Sequence, residues 1–472
     1  MASVNKRYTA AQAIELTARF VQRNRASDVE DESSADEDYS DVEHVDDASG
    51  DRNEERMEAI GNDSDSETDT VIVGNDSDVE REEEQQEPRE PDADELENYF
   101  YSSKNGDEMW LKESPVVTGR QSSQNVMKQA PGLTAFAARR TETIQDALDL
   151  FITPGICKTI IDMSNIEGKR VFGDAWQNIT SVELNGYIGL LYLAGVYRSA
   201  GESTEELWHA TDGRPVFRAT MSLKRFKHIS RILRFDDKET RTARRAKDKL
   251  APIREVFDAW VTTLSKSFIP YDNVTIDEQL VAFRGRCSFR MYMKSKPAKY
   301  GLKLWALCDS ATAYVLNLQV YTGKVGNRPE KNQGERVVHD MVAVIEGSGR
   351  NVTTDNFFTS ASLARQLLKK KLSLVGTVRK NKAEIPAEFL PSRARPVHSS
   401  LFGHQQQLTL VSYVPNRNRA VILLSSMHKG EEISDRADRK PEIIMFYNRT
   451  KGGVDTMDQM VSTYTTKRMT RR

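Results

Sequence analysis

A five-residue pattern, Asn-Val-Thr-x-Asp, occurs twice in the chain, at residues 273–277 and 351–355. Val and Thr favour an extended backbone, whereas Asp is depleted in strands. A carboxylate on a buried strand costs free energy unless a cation or hydrogen bonds compensate it. The pattern therefore predicts that Asp277 and Asp355 lie on neighbouring parallel strands of one sheet and share a cation.

Two other readings of the pattern stay open at this point. Each aspartate taken alone is more often a helix cap or a turn residue than a metal ligand. Asn-Val-Thr is also an acceptor sequence for glycosylation, which requires a secreted protein. The first residues, Met1–Arg7, include no apolar signal segment, so we expect neither a signal peptide nor glycosylation.

Length and cysteine content favour a soluble intracellular protein. The 472 residues suffice for two or three domains. Cys157, Cys287 and Cys308 are far apart, which gives no disulfide framework and no zinc spacing. Since no run of residues approaches the roughly 18 apolar positions of a membrane span, we expect no membrane contact.

The net charge of −3 hides a strong asymmetry. Residues 28–98 contain 31 acidic and 4 basic residues, which leaves 39 acidic and 63 basic residues elsewhere. A basic body attracts phosphate backbones, and an acidic segment competes for the same surface. The alternative is a solvated surface with a solubilising segment, but the size of the excess favours nucleic-acid binding.

Helical periodicity runs from about residue 141 to 270. Thr153 followed by Pro154 predicts a helix start, and the pair Thr180 and Glu183 predicts a capping box. The segment 223–235 has one apolar and one basic face, typical of either a solvated helix or a phosphate contact. Its basic residues are Lys224, Arg225, Lys227, Arg231 and Arg234.

From about residue 272 the pattern changes to strands that later alternate with helices, which indicates a mixed sheet with helices on its faces. The predicted strands are Val274–Phe283, Arg290–Met293, Gly301–Cys308, Ala313–Tyr321, 351–355, Ser373–Val378, His404–Tyr413, Arg419–Met427 and Glu442–Asn448. The predicted helices are Glu335–Glu346, Ser360–Lys371 and one that follows Gly453.

The last predicted helix carries Asp455 and Asp458, which share a face because they are three residues apart. Together with Asp277 and Asp355 they form an all-oxygen set of candidate ligands. Mg²⁺ takes such ligands, and two ions about 4 Å apart can support phosphodiester displacement. The four acids therefore indicate metal-dependent chemistry on nucleic acid, although their spacing alone does not establish it.

Three longer motifs carry a family resemblance. The stretch Asp272-Asn-Val-Thr-Ile-Asp277-Glu-Gln-Leu-Val-Ala-Phe-Arg284-Gly-Arg286, continuing to Lys303, closely resembles the first catalytic block of piggyBac-family transposases. Thr354-Asp355-Asn-Phe-Phe358 resembles the second, and Tyr447-Asn-Arg-Thr-Lys451-Gly-Gly-Val-Asp455-Thr-Met-Asp458 the third. The resemblance covers roughly residues 135–472, with the motifs in matching order.

The resemblance implies an α/β protein with an RNase H-like mixed sheet and a catalytic triad of Asp277, Asp355 and Asp455, with Asp458 as a further metal-binding acid. It implies Mg²⁺, replaceable by Mn²⁺, as cofactor. The expected activity is cleavage and strand transfer of double-stranded DNA at transposon ends and TTAA target sites. The expected protein is a nuclear homodimer with no small-molecule substrate.

Basic residues around these motifs are candidate DNA contacts, with ordinary surface charge as the alternative. They are Arg284, Arg286, Arg290, Lys296, Lys299, Lys303 and Lys451.

The resemblance and the composition together give domain boundaries. We expect a short helical segment at 1–27, an acidic disordered region and linker at 28–130, and a helical DNA-binding and dimerisation domain at 131–271. The catalytic domain would comprise 272–381 and 442–460, interrupted by a β-rich insertion domain at 382–441, with C-terminal DNA-binding helices beginning at 461–472.

The end of the sequence departs from the family pattern. Family members continue through further helices, and many end in a Cys-rich zinc module, whereas this sequence stops at Arg472. We therefore expect a C-terminally truncated chain without that module. The alternative function is a non-catalytic DNA- or chromatin-binding protein derived from a transposase.

Overall fold

The computed structural model describes residues 100–114, 126–324 and 330–467. The predicted helical segment at 1–27 lies outside these residues, as does the acidic segment 28–98. No helix in the described ranges is both long and apolar enough to cross a membrane.

The described helices are numbered in chain order. They are α1 Ala135–Ala138, α2 Ile144–Asp149, α3 Pro154–Phe172, α4 Ser181–Val196, α5 Thr204–Leu207, α6 Pro215–Thr220, α7 Leu223–Ile232, α8 Arg241–Lys247, α9 Arg254–Ser267, α10 Gln333–Val342, α11 Ala361–Lys369, α12 Glu442–Thr450 and α13 Gly453–Thr463. Short 3₁₀ turns occur at Gly173–Ala175, Ser199–Gly201, Ala343–Ile345 and Ala387–Phe389.

The described strands are numbered in the same way. They are β1 Phe100–Ser102, β2 Met109–Leu111, β3 Gly132–Leu133, β4 Phe268–Ile269, β5 Asn273–Ala282, β6 Met291–Tyr292, β7 Tyr300–Asp309, β8 Val315–Val320, β9 Asn351–Thr354, β10 Ser373–Thr377, β11 Ser400–His404, β12 Thr409–Tyr413 and β13 Val421–Ser425.

The helical half of the chain begins as its capping residues predict. The Thr153 hydroxyl accepts a hydrogen bond from the Ile156 amide, and Pro154 opens α3. At α4 the Thr180 hydroxyl likewise accepts from the Glu183 amide. The Glu183 carboxylate also binds Arg225 at 2.8 Å, and its hydrogen bonds to Arg225 and to the Thr180 backbone hold its pKa below the usual range.

The other half of the chain is built on one mixed sheet, which confirms the predicted α/β class with a mixed sheet. Within the described residues the sheet has eleven strands in the order β1-β2-β11-β12-β13-β10-β9-β5-β7-β6, with β8 also paired to β7. Helices α10 and α11 pack against one face, in a core that includes Val274, Val337 and Leu363. Helices α9, α12 and α13 cover the other face, where Leu264, Ile443 and Val454 are buried. Strand β5, which carries Asp277, therefore lies in a sheet covered on both sides.

Three segments differ from their prediction. Residues 442–448 form helix α12, not a strand, because Ile443, Phe446, Tyr447 and Thr450 recur at helical spacing and pack on the sheet. The predicted strand His404–Tyr413 is the turn and second strand of a hairpin, β11–β12. Residues 100–111, assigned to the acidic region and linker, form the β1–β2 hairpin, because Trp110 is fully buried against the sheet.

The segment 382–441 is continuous with the main sheet. Strand β13 pairs antiparallel with β10, and β12 pairs with β13. Its strands thus extend the sheet beyond the two acid-bearing strands. Its assignment as a separate insertion domain remains a prediction.

Candidate active site

The two copies of Asn-Val-Thr-x-Asp lie side by side. Strands β5 and β9 are parallel neighbours, with Thr275 opposite Thr353 and Ile276 opposite Thr354. Asp277 is the next residue of β5 and Asp355 directly follows the end of β9, so both reach the same level of the sheet. The predicted pair of neighbouring parallel strands is confirmed, and β9 ends at this level, where irregular backbone begins.

The threonines of the two copies hold the helix pair α12–α13. The Thr275 hydroxyl donates to the Thr450 carbonyl oxygen at 2.6 Å, and the Ser310 hydroxyl donates to the same oxygen at 3.0 Å. The Thr353 hydroxyl donates to the Thr450 hydroxyl at 2.8 Å. Both copies of the motif therefore anchor the end of α12, a role that the sequence did not reveal.

Helix α13 begins directly against β5. A side chain at Gly453 would place its Cβ 2.9 Å from the Thr275 hydroxyl, so a larger residue does not fit there. Asp455 lies in the first turn of α13 and is exposed. Asp458 lies one turn further and accepts a hydrogen bond from the Gln279 amide at 2.9 Å. The anchored helix thus presents its two acids to the face of β5 that carries Asp277.

The charges of these acids act on one another. Burial raises the pKa of Asp277 well above its usual range, and the negative charges of Asp355, Glu278 and Asp455 raise it further, against the effect of Lys296. Burial and the charge of Glu278 raise the pKa of Asp355 to about 6, against a hydrogen bond from the Phe357 amide. Clustered carboxylates of this kind are stabilised by a cation.

The donor set fits a hard divalent cation, since it consists of carboxylate oxygens whose mutual repulsion an ion would relieve. In the described residues, however, no three Asp, Glu, His or Cys side chains are already grouped closely enough to hold a metal ion. Asp277 and Asp355 lie side by side at the sheet, while Asp455 on α13 is exposed and its charge acts on Asp277.

Lys303, a predicted DNA contact, lies elsewhere than expected. Its ammonium is buried and binds the buried Glu278 carboxylate at 3.0 Å, between the Trp305 and Phe357 rings. The prediction treated it as surface charge, but a lysine in the run Leu302-Lys-Leu-Trp305 alternates into a covered sheet face. Lys303 therefore pairs with Glu278 on a covered face of the sheet and is not exposed for a phosphate contact.

Lys296 and Tyr447 lie beside the acids. Burial alone would lower the pKa of the Lys296 ammonium, but Asp277, Glu278 and the two acids of α13 raise it above its usual value. Burial likewise raises the pKa of the Tyr447 phenol, and the charges of Asp355 and Asp277 add to this effect. Lys296 is thus a cation whose charge acts on these acids, and the raised pKa of Tyr447 favours its protonated form.

Comparison with known proteins shows the family of the chain. A family model described as transposase IS4 matches residues 144–472. A piggyBac transposase, solved by cryo-EM as a synaptic complex with hairpin DNA, is 38% identical with a TM-score of 0.69 over 73% of each chain. This chain belongs to the piggyBac transposase family.

Human relatives extend the same finding. PiggyBac transposable element-derived protein 3 of Homo sapiens is 25% identical over 359 residues, which cover 71% of this chain and 58% of the relative. PiggyBac transposable element-derived protein 2 of Homo sapiens is 22% identical over 347 residues, which cover 68% and 56% respectively. The chain thus spans little more than half the length of these relatives.

The remaining predicted DNA contacts of this transposase-family chain divide into two groups. Arg284, Arg286 and Lys299 are exposed. Arg290 instead braces its own loop, donating to the Arg284 and Gly285 carbonyl oxygens at 3.3 and 3.2 Å. Lys451 is half-buried at the end of α12. The exposed group keeps its assignment as a prediction.

The basic face of α7 is largely neutralised within the chain. Arg225 binds Glu183 at 2.8 Å, Arg234 binds Glu167 at 2.8 Å, and Lys227 binds Glu205. Arg231 lies over the Phe172 ring. These contacts favour the solvated-helix reading of α7 over a phosphate contact.

Proposed function

We propose that this chain is a metal-dependent DDD transposase with an RNase H-like catalytic fold, which cleaves DNA and transfers strands at TTAA target sites. The observation that carries the proposal is the site geometry. Asp277 and Asp355 lie side by side on parallel strands, and the same strands anchor the helix of Asp455 through Thr450. The family relationship supports this reading of the acids.

Asp277, Asp355, Asp455 and Asp458 would hold Mg²⁺ or Mn²⁺. When bound, such ions activate an attacking oxygen and stabilise the leaving oxygen of a phosphodiester. The carboxylates position the ions and do not attack. Lys296 offsets the charge of the acids and offers an ammonium to an approaching phosphate, while Glu278 and Lys303 hold the sheet beneath Asp355.

We further propose double-stranded DNA with transposon ends as the partner, a homodimer as the working form, and the nucleus as the location. The similar solved structure is a synaptic complex with hairpin DNA. The basic balance outside residues 28–98 also favours DNA as the partner.

A second candidate is a non-catalytic DNA-binding protein derived from a transposase. One observation favours it, namely that Asp455 is exposed and the described acids are not yet grouped as a metal site. The two candidates share DNA binding and differ only in cleavage.

A nicking assay separates them. Purified protein is incubated with Mg²⁺ or Mn²⁺ and DNA whose transposon ends are flanked by TTAA. We expect nicking at these ends, its loss in Asp355→Asn with DNA binding retained, and no change in Asp435→Asn, an exposed acid outside the site. Equal nicking by Asp355→Asn would remove the triad assignment. DNA binding without nicking by the unaltered protein would favour the second candidate.

A further inference from the structure

A basic groove lies between helix α8 and the loop that follows β5. Its volume is about 580 Å³. Four of its seven described lining residues are Lys or Arg, and none of those seven is acidic. The lining residues are Lys238, Arg241, Thr242, Arg245, Ala246, Lys249 and Ser288. The groove is therefore a concave surface of one charge, which concentrates anions.

Helix α8 is held firmly from beneath. Arg241 and Arg244 each bind the buried Asp236 carboxylate at 2.5 Å. Arg244 also donates to the Ala251 carbonyl oxygen at 3.0 Å. Burial works to raise the pKa of Asp236, but the two guanidinium groups outweigh it and lower the pKa. These contacts of Arg241 and Arg244 hold the helix in place. The side chains of Arg245 and Lys249, which line the groove further along the chain, take no part in them.

Those side chains are available to a ligand. Arg245 is exposed and makes no ion pair or hydrogen bond within the described part of the chain. The Lys249 ammonium donates to the Thr322 carbonyl oxygen at 3.0 Å, which leaves further donors of that ammonium for a ligand. Lys238 has only a long contact of 3.9 Å to Glu167. Unlike most basic residues of α7, Arg245 and Lys249 form no ion pair within the described residues, whereas Arg241 is paired with Asp236.

The opposite wall connects the groove to the acids. Ser288 belongs to the loop 283–290, which also carries the exposed Arg284 and Arg286. That loop continues directly from β5, the strand of Asp277. Along the strand, Asp277 and Ala282 are roughly 17 Å apart, about the length of five base pairs. The loop that forms this wall is therefore connected to the acids through the length of β5.

We propose that this groove binds the phosphate backbone of duplex DNA next to the active site. The inference deepens the proposed function and rests on DNA being the substrate. Cations placed from Lys238 to Lys249 match a series of phosphates better than one isolated anion. Arg245 can bind a phosphate through two nitrogens, and hydroxyls such as that of Ser288 add neutral donors. No base is read, so the contact is independent of sequence.

The test compares two double variants of equal charge change. Arg245→Glu with Lys249→Glu alters the groove. Arg417→Glu with Lys369→Glu alters an exposed arginine and an exposed lysine elsewhere. Duplex affinity is measured by fluorescence anisotropy in EDTA over a series of salt concentrations. We expect the groove variant to lose roughly tenfold or more in affinity and to show a salt slope smaller by about 2, with little change in the control.

Two results would overturn the proposal. One is equal affinity and salt slope in the two double variants. The other is a melting temperature that inorganic phosphate raises in the unaltered protein but not in the groove variant, without any change in duplex affinity, which would assign the groove to free phosphate. Melting curves confirm folding, and the neutral pair Arg245→Gln with Lys249→Gln should lose part of the affinity. Because EDTA excludes cleavage, failure of the nicking assay does not affect this result.

Discussion

The Asp355 carboxylate combines two unfavourable features in the metal-free protein. It is partly buried, and the charge of Glu278 lies close to it, so its pKa rises from 3.8 to about 6. A carboxylate with a raised pKa in the folded state favours folding when protonated. Its contribution is complete below about pH 4 and is lost as the pH rises through about 6. At neutral pH this residue is therefore a cost, which a bound cation would remove.

We expect Asp355→Asn to be more stable than the unaltered protein at pH 8 without divalent ions. The gain should be about 1–3 kcal/mol, because the amide removes the repulsion. The gain should disappear near pH 4, where Asp355 is protonated. Melting temperatures across this range, with Asp435→Asn as control, measure the effect. A lower melting temperature for Asp355→Asn at pH 8 would show that the carboxylate is already compensated.

Among the structural elements, β5 and β9 show which features of the fold the local sequence predicts and which it does not. Their β-branched residues predicted two strands, and the acids predicted that the strands are neighbours, as observed. In the sequence, Thr275 and Thr353 indicated only a preference for extended backbone. Their hydrogen bonds to Thr450 depend on where α12 packs, which no local pattern near residue 275 or 353 encodes.

The prediction for α12 was wrong for a different reason. Its helical periodicity was present in the sequence, but its strand-favouring residues outweighed that periodicity. The run Ile443-Ile-Met-Phe-Tyr447 is rich in strand-favouring residues. Its apolar positions nevertheless recur at helical spacing, and Ile443 and Ile444 are buried against the sheet. Lys303 was misjudged for a related reason, since only the tertiary structure shows that both faces of its strand are covered.

The threonine anchor gives a prediction at this scale. We expect Thr353→Val to destabilise the protein by about 1–2 kcal/mol, because it leaves a buried Thr450 hydroxyl without its donor. It should also weaken Mn²⁺ binding, because Asp455 and Asp458 lie on the helix that follows. The matched control is Thr409→Val, which removes a bond of 2.9 Å to the His428 carbonyl oxygen outside the site. Equal Mn²⁺ affinity in the two variants would mean that the anchor is structural only.

At the scale of the whole molecule, one segment of the sequence has a net charge opposite in sign to that of the remaining residues. Residues 28–98 have an excess of acidic residues, and the rest of the sequence has a large excess of basic residues. Composition predicted this balance, but it could not say which bases remain unpaired. In the structure, Glu183, Glu205 and Glu167 pair with basic residues of the segment 223–235. In α8, Arg241 and Arg244 pair with Asp236, whereas Arg245 forms no ion pair within the described residues. Both helices are basic in sequence, and they differ in how many of their basic side chains form ion pairs with acids elsewhere in the chain.

We expect deletion of residues 28–98 to tighten duplex binding at low salt, since the acidic segment competes with phosphate for the basic surface. The gain should shrink as salt screens the charges. A chain in which Asn and Gln replace the acids of this segment should behave like the deletion, which separates charge from length. Unchanged affinity in both chains at low salt would show that the segment does not compete with DNA.

The central claim is that carboxylates from two strands and one helix form a single divalent-cation site. An Mn²⁺ titration followed by electron paramagnetic resonance tests it most directly. We expect Asp277→Asn, Asp355→Asn and Asp455→Asn each to weaken Mn²⁺ binding by at least roughly tenfold, because losses of that size follow even from disturbing residues behind a metal ligand. The exposed control Asp435→Asn should bind Mn²⁺ like the unaltered protein. Undiminished Mn²⁺ binding in all three variants would contradict a shared site.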